Sequence, residues 1–149
     1  MSTQGTGVLG LGLDQAREVV AAVRAAGREQ GLKPLSVCVI DAGGHLVAFE
    51  REDGSSTHRF QVAHGKAHGA VALGVGSRQL NAMAEARPFF MTAVGQAVGA
   101  LVPVPGGVLV VDDEGAVLGA VGASGDTSDA DEAAVLAGLE ACGLTGRTG

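Results

Sequence analysis

Apolar and small residues recur at Ala16, Val19, Val20, Val23 and Gly27, a helical stripe with Arg17, Arg24 and Arg28 elsewhere on the wheel; Gly31 stands where such a helix stops. The period then changes. Residues 35–41 and 45–51 are strand-like runs on either side of Asp41-Ala42-Gly43-Gly44, whose glycines suit a tight reversal, so the pair predicts a β-hairpin. In the first run Val37 and Val39 alternate with Cys38 and Ile40 and leave no polar face, which predicts a strand buried on both sides under helices. After a polar loop, Thr57 is placed to cap a helix reaching about Leu73. Residues 77–84 and 88–98 form two further helical pieces divided at Arg87-Pro88, because the residue before a proline avoids the helical region. Residues 108–112 and 116–123 are strands joined by Asp113-Glu114-Gly115, with the glycine placed for a bulge. A last helix, capped near Thr127 or Ser128, carries residues 133–141.

The order helix, hairpin, helices, hairpin, helix predicts an α/β domain with a largely antiparallel sheet, unlike a doubly wound fold in which helices alternate with single strands. A length of 149 residues suits one domain, expected over residues 8–144 with frayed tails at 1–7 and 145–149. Hydrophobic residues at 46% and charged ones at 17% exclude a disordered chain. The longest apolar stretch, residues 97–111, is broken by Pro103, Pro105, Gly106 and Gly107 and falls short of the roughly 20 residues that cross a bilayer. With no secretory pattern at the start, a cytoplasmic protein without a membrane partner is expected. A net charge of -6 and scattered lysines and arginines argue against nucleic acid. Cys38 and Cys142 lack both metal spacing and the number for a disulfide framework, and are expected to be buried, inert thiols.

Several ordered blocks carry a resemblance: Val39-Ile40-Asp41-Ala42-Gly43-Gly44-His45-Leu46-Val47, Glu50-Arg51 with Asp53-Gly54, Gly65-Lys66-Ala67, Pro103 with Gly106-Gly107, and Gly119-Ala120-Val121-Gly122-Ala123-Ser124-Gly125. Over residues 13–144 the chain resembles the GlcG/HbpS-type haem-binding family, whose relatives include the C-terminal domain of a corrinoid adenosyltransferase. The resemblance implies a three-layer α/β/α single domain with a mainly antiparallel central sheet, frequent homo-oligomerisation, and tetrapyrrole binding in some members. It implies no shared reaction, and it transfers no haem ligand. Histidines here occupy positions around the lysine-bearing helix where small or apolar residues are more usual.

Those histidines are the leading chemical candidates. His64 and His68 are four apart on the predicted helix, at the edge of an apolar stripe centred on Phe60, Ala67 and Val71, with Lys66 on the opposite flank. An imidazole there can ligate haem iron, share a divalent metal with a carboxylate, carry a proton near neutral pH, or stand solvated at an interface. H-x-x-x-H without an internal glutamate is a poor zinc signal, and no metal site is predicted. Lys66 can hold a haem propionate or small carboxylate, or form a surface salt bridge; Arg51 can do the same from the strand end unless Glu50, Glu52 or Asp53 neutralises it. Gly106-Gly107 can bring bare backbone N–H groups to a ligand oxygen, or simply turn the chain into Val108. Met91, with Met83, Phe89 and Phe90, can line a pocket for a flat macrocycle and supply a second axial ligand, or pack in the core. His45 and His58 are expected to be exposed, and Asp126, Asp129, Asp131 and Glu132 to favour the start of the last helix.

Two functions follow. The first is a module that binds a small ligand, haem or a related tetrapyrrole, in an apolar cleft, with His64 or His68 on iron and Lys66 or Arg51 at the propionates. The alternative is a cofactor-free lyase or isomerase acting on a small acidic or carbonyl-containing metabolite. There His64 or His68 is the base, and Lys66 or the Gly106-Gly107 backbone stabilises oxyanion charge. A third reading, an oligomeric accessory protein, needs no chemistry from these residues.

Overall fold

In the computed structural model residues 9–149 are described, so the expected tail at residues 1–7 lies outside them. The elements are α1 (Leu13–Glu29), β1 (Ser36–Asp41), β2 (Leu46–Arg51), α2 (Arg59–Leu73), α3 (Ser77–Ala86), α4 (Pro88–Val98), β3 (Gly107–Val111), β4 (Val117–Ser124), α5 (Ser128–Ala141) and β5 (Thr145–Arg147). They form a five-stranded sheet in the order β2-β1-β4-β3-β5, with every neighbouring pair antiparallel. Alternation along the strands divides the core in two. Val37, Val39, Val108, Val110, Val121 and Ala123 join the stripes of α1 and α5. Cys38, Ile40, Leu109, Val111 and Ala120 meet Ala63, Ala67 and Ala70 of α2 on the other face. The result is the three-layer α/β/α domain, because a strand without a polar side must be covered twice.

The predicted stripe of α1 is its buried face, and Gly31, at φ +72°, ends it. In the first hairpin only Gly44 takes the left-handed conformation, while the Asp41 carboxylate accepts from the N–H groups of Gly43 and His45. Two expectations need correction. Thr57 does not cap α2: the helix starts at Arg59, His58 occupies the capping position with no side-chain bond to the helix backbone, and Thr57 Oγ1 pairs with His58 Nδ1. The predicted cap of α5 does form, through Thr127 accepting from the Ala130 N–H. The tail expected at residues 145–149 is not frayed, since Thr145–Arg147 pairs with β3 as an edge strand. A three-residue polar strand carries no periodicity to read; its place is set by Gly146, against Val108, Leu136 and Leu139. Gly106 and Gly107 turn the chain into β3, one of the two readings left open, and their backbone is covered for a reason that belongs to α2.

That helix lies close over the sheet. A Cβ on Gly122 of β4 would stand 2.0 Å from the Ala63 carbonyl oxygen, so only glycine admits α2 at this distance. The segment 99–107 then folds across α2, with Val102 against Gly65 and Leu101 against Gly69.

Candidate functional site

Helix α2 carries three of the candidates and separates them by face. Lys66 is 1% exposed; its Nζ donates to the Ala123 carbonyl at 2.9 Å and to Asp131 Oδ2 at 3.2 Å. Asp131 is equally buried, and its Oδ1 accepts the Asp126 N–H at 2.9 Å. Burial pulls the Lys66 ammonium below the ordinary lysine range and pushes the Asp131 carboxyl up, and the attraction between the two opposes both shifts. A Cβ on Gly106 would lie 2.7 Å from Lys66 Nζ, and one on Gly107 2.4 Å from the Lys66 carbonyl oxygen. The Gly107 N–H already donates to Ser77 Oγ at 2.7 Å. Lys66, Gly106 and Gly107 are therefore one packed unit. The wheel put Lys66 beyond the apolar stripe; Gly106 and Gly107 cover that flank, and of the two readings left open, a lysine for an acidic ligand or a surface salt bridge, Lys66 forms a salt bridge that is buried.

The histidines occupy the other flank, in a column of rings. Phe49 of β2 meets Phe60 edge to face at 4.8 Å, Phe60 stacks on His64 at 5.3 Å and 15°, and His64 approaches His68 at 5.5 Å. His68 Nδ1 lies 2.8 Å from the Ala100 carbonyl oxygen, which can only accept, so the proton belongs on Nδ1 and the Nε2 lone pair is free. Nε2 faces the β1–β2 turn, 3.8 Å from where a Cβ on Gly44 would stand. His64 is half-buried. Loss of solvent, and then repulsion from His68, holds its pKa below 6.5 and its imidazole neutral at physiological pH. At the same turn the exposed His45 places Nδ1 3.0 Å from Asp41 Oδ1.

Arg51 lies two residues from Phe49 and so on the same face of β2. Its Nη1 donates to the Ser55 carbonyl at 3.1 Å, and among the described residues it pairs with no carboxylate. Glu50 and Glu52 are engaged by Arg24 and Arg28 instead. Met91 is elsewhere: it lines a cleft of about 340 Å³ with residues such as Pro88, Leu101 and Pro103, and no histidine lines it. Phe90 lies under the Arg87 guanidinium, and His58 is exposed at the start of α2. Cys38 is buried, with its thiol pushed up to about 12 by loss of solvent, which makes it inert, whereas Cys142 at the end of α5 is only partly buried, against expectation.

The sequence did not reveal Asp131 as the partner of Lys66, nor Phe49 and Ala100 as parts of the histidine site. A lysine inside a run of glycine and alanine, Gly65-Lys66-Ala67, was the available signal, since a helix so smooth is built for close approach. Chemically, the site offers an imidazole nitrogen on a prearranged ring, the half-buried His64 imidazole, two phenyl rings and a guanidinium that pairs with no carboxylate among the described residues. This donor set suits a flat aromatic ligand that bears carboxylates and accepts a nitrogen donor.

A family model for haem degrading, HbpS-like proteins matches residues 11–140. Among solved structures, a PduOC–haem complex is 19% identical, covers 93% of this chain and 99% of its own, and superposes with a TM-score of 0.82. The Klebsiella pneumoniae protein ORFY is 23% identical, with 96% and 97% covered and a TM-score of 0.81. HbpS is 25% identical, with 95% and 96% covered and a TM-score of 0.78. No curated protein matches the chain.

Proposed function

Since the chain belongs to the HbpS-like haem degrading protein family, we propose that it binds haem or a related tetrapyrrole against the histidine flank of α2. His68 or His64 supplies a nitrogen to iron, the phenyl faces of Phe49 and Phe60 line the apolar side, and Arg51 meets a propionate. The observation that carries this reading is the bond from His68 Nδ1–H to the Ala100 carbonyl, which fixes the ring and leaves Nε2 as a donor. Bound iron would supply redox and ligand-binding chemistry; the protein's part is to orient the macrocycle and limit its contact with water. The cofactor-free enzyme loses support, because Lys66 and the Gly107 N–H, its oxyanion stabilisers, are already engaged. Homo-oligomeric assembly is part of the proposal. It is supported by α4, where Phe89 is 88% exposed and Met91 is the buried residue.

Titrating haemin into the purified protein and reading visible absorption tests the site. Saturable binding is expected, weakened by about tenfold or more, some 1.4 kcal/mol, in His68→Ala or His64→Ala, with a changed spectrum in the variant that loses the ligand. Binding that never saturates, or two variants indistinguishable from the parent, would overturn it.

A further inference from the structure

A second constellation lies at the N-terminal end of α2. Ser36 pairs with both Arg51 and Ser124, so one end of β2, β1 and β4 converges there with the loops before β1 and after β2. Lys33, Pro34, Gly54, Ser55, Ser56, Arg59 and Gly125 enclose a cleft of about 200 Å³. Arg59 spans it without a carboxylate: its Nε donates to Ser56 Oγ and its Nη1 to Ser124 Oγ, each at 3.0 Å. Arg24, Arg28, Arg78 and Lys66 all take acidic partners, whereas among the described residues Arg59 and Lys33 form no ion pair. In a chain of net charge -6, two cations outside any ion pair on one small polar cleft supply local positive charge, which the Asp126 carboxylate beside Lys33 offsets in part. Helix α2 adds to it, since its first turn has no acidic residue and no side-chain cap. Ser55 Oγ is taken by Ser36 Oγ, which leaves Ser56 as the hydroxyl at the mouth. The acidic group on the rim is Asp126, whose carboxylate accepts from the N–H groups of Lys33 and Thr127.

We propose that this cleft is an oxyanion site for a phosphate group, free or carried on a small metabolite, held by Arg59, Lys33 and Ser56 Oγ. The guanidinium N–H groups of Arg59 not spent on Ser56 and Ser124, beside a point charge and a hydroxyl, match the several oxygens of phosphate better than the two of a carboxylate. The site shares no ligating residue with the proposed haem site, although Arg51 touches the Ser55 carbonyl, so a negative haemin titration leaves it standing.

The test is a titration with inorganic phosphate at constant ionic strength. It follows the amide signals of Gly54, Ser55, Ser56 and Gly125 and the Arg59 Nε–H by two-dimensional NMR. Saturable shifts confined to these signals are expected, with affinity down about tenfold in Arg59→Gln and in Lys33→Gln, and raised several-fold in Asp126→Asn. Lys33 is exposed, so its variant reads binding even where Arg59→Gln disturbs the Ser124 contact. Shifts spread over the surface, or a Lys33→Gln variant that binds like the parent, would overturn the site. Acetate binding as tightly as phosphate would overturn the phosphate assignment. A parallel titration with glycerol phosphate separates the two sources, a tighter ester favouring a metabolite and equal affinity the free ion.

Discussion

Lys66 and the two histidines share one short stretch of α2, yet the two flanks of that helix do opposite things. On one, a lysine is closed in by segment 99–107 and matched by a carboxylate and a carbonyl. On the other, among the described residues, two imidazoles have one nitrogen hydrogen-bonded between them, and His68 Nε2 faces the β1–β2 turn without a partner. A polar side chain whose bonds are all made inside the molecule holds the fold; one left with a free lone pair at an aromatic edge is equipped for a ligand. Covering, rather than residue type, makes the difference.

The comparison breaks first at the ion pair. Lys66→Met leaves the Asp131 carboxylate buried without its cation, and unfolding free energy measured with urea should fall by about 3–5 kcal/mol. His64→Ala and His68→Ala, on the open flank, should lower it by about 1 kcal/mol or less. Joining Lys66→Met to Asp131→Leu should restore most of the loss, since a desolvated pair can be replaced by packed apolar groups. A single Lys66→Met variant as stable as the parent would mean that the flank is open to water.

A smaller effect tests the closure itself. Gly107→Ala puts a methyl 2.4 Å from the Lys66 carbonyl, a backbone atom that cannot swing away, and should cost about 1–3 kcal/mol of stability. The control is Gly95→Ala, which meets nothing within 4 Å in α4 and should be neutral or stabilising by up to about 1 kcal/mol. Equal midpoints for the two variants would show that the covering segment yields.

Most of the architecture was legible because periodicity and turn chemistry are local. The stripe of α1, the doubly buried β1, the Pro88 break that starts α4 and the Thr127 cap all appear where the sequence places them. Missing were the features that depend on distant partners. Nothing near Lys66 points to Asp131, 65 residues on, and acidic residues at a helix start have a sufficient local explanation as dipole partners. The bond from His68 to Ala100 depends on how an irregular segment with no period of its own returns over α2. The histidines stood out by residue type, but their difference from Lys66 in exposure follows from that same segment.

His64 gives the finest test, because its charge should respond to how open the flank is. A histidine with a native pKa below 6.5 is neutral in the folded protein, while the unfolded chain takes up a proton in the window between that lowered value and 6.5. The unfolded state then binds more protons, so the stability contribution is complete above 6.5 and declines as pH falls through the window. Urea midpoints measured between about pH 8 and pH 5 should show this decline in the parent, and His64→Gln should flatten that part of the profile. Loss of solvent is the larger cause of the shift and repulsion from His68 the smaller. His68→Ala should therefore move the NMR titration of His64 back toward 6.5 only in part. A complete return would make His68 the dominant cause, and a His64 midpoint at or above 6.5 in the parent would show that this flank is as wet as free solvent.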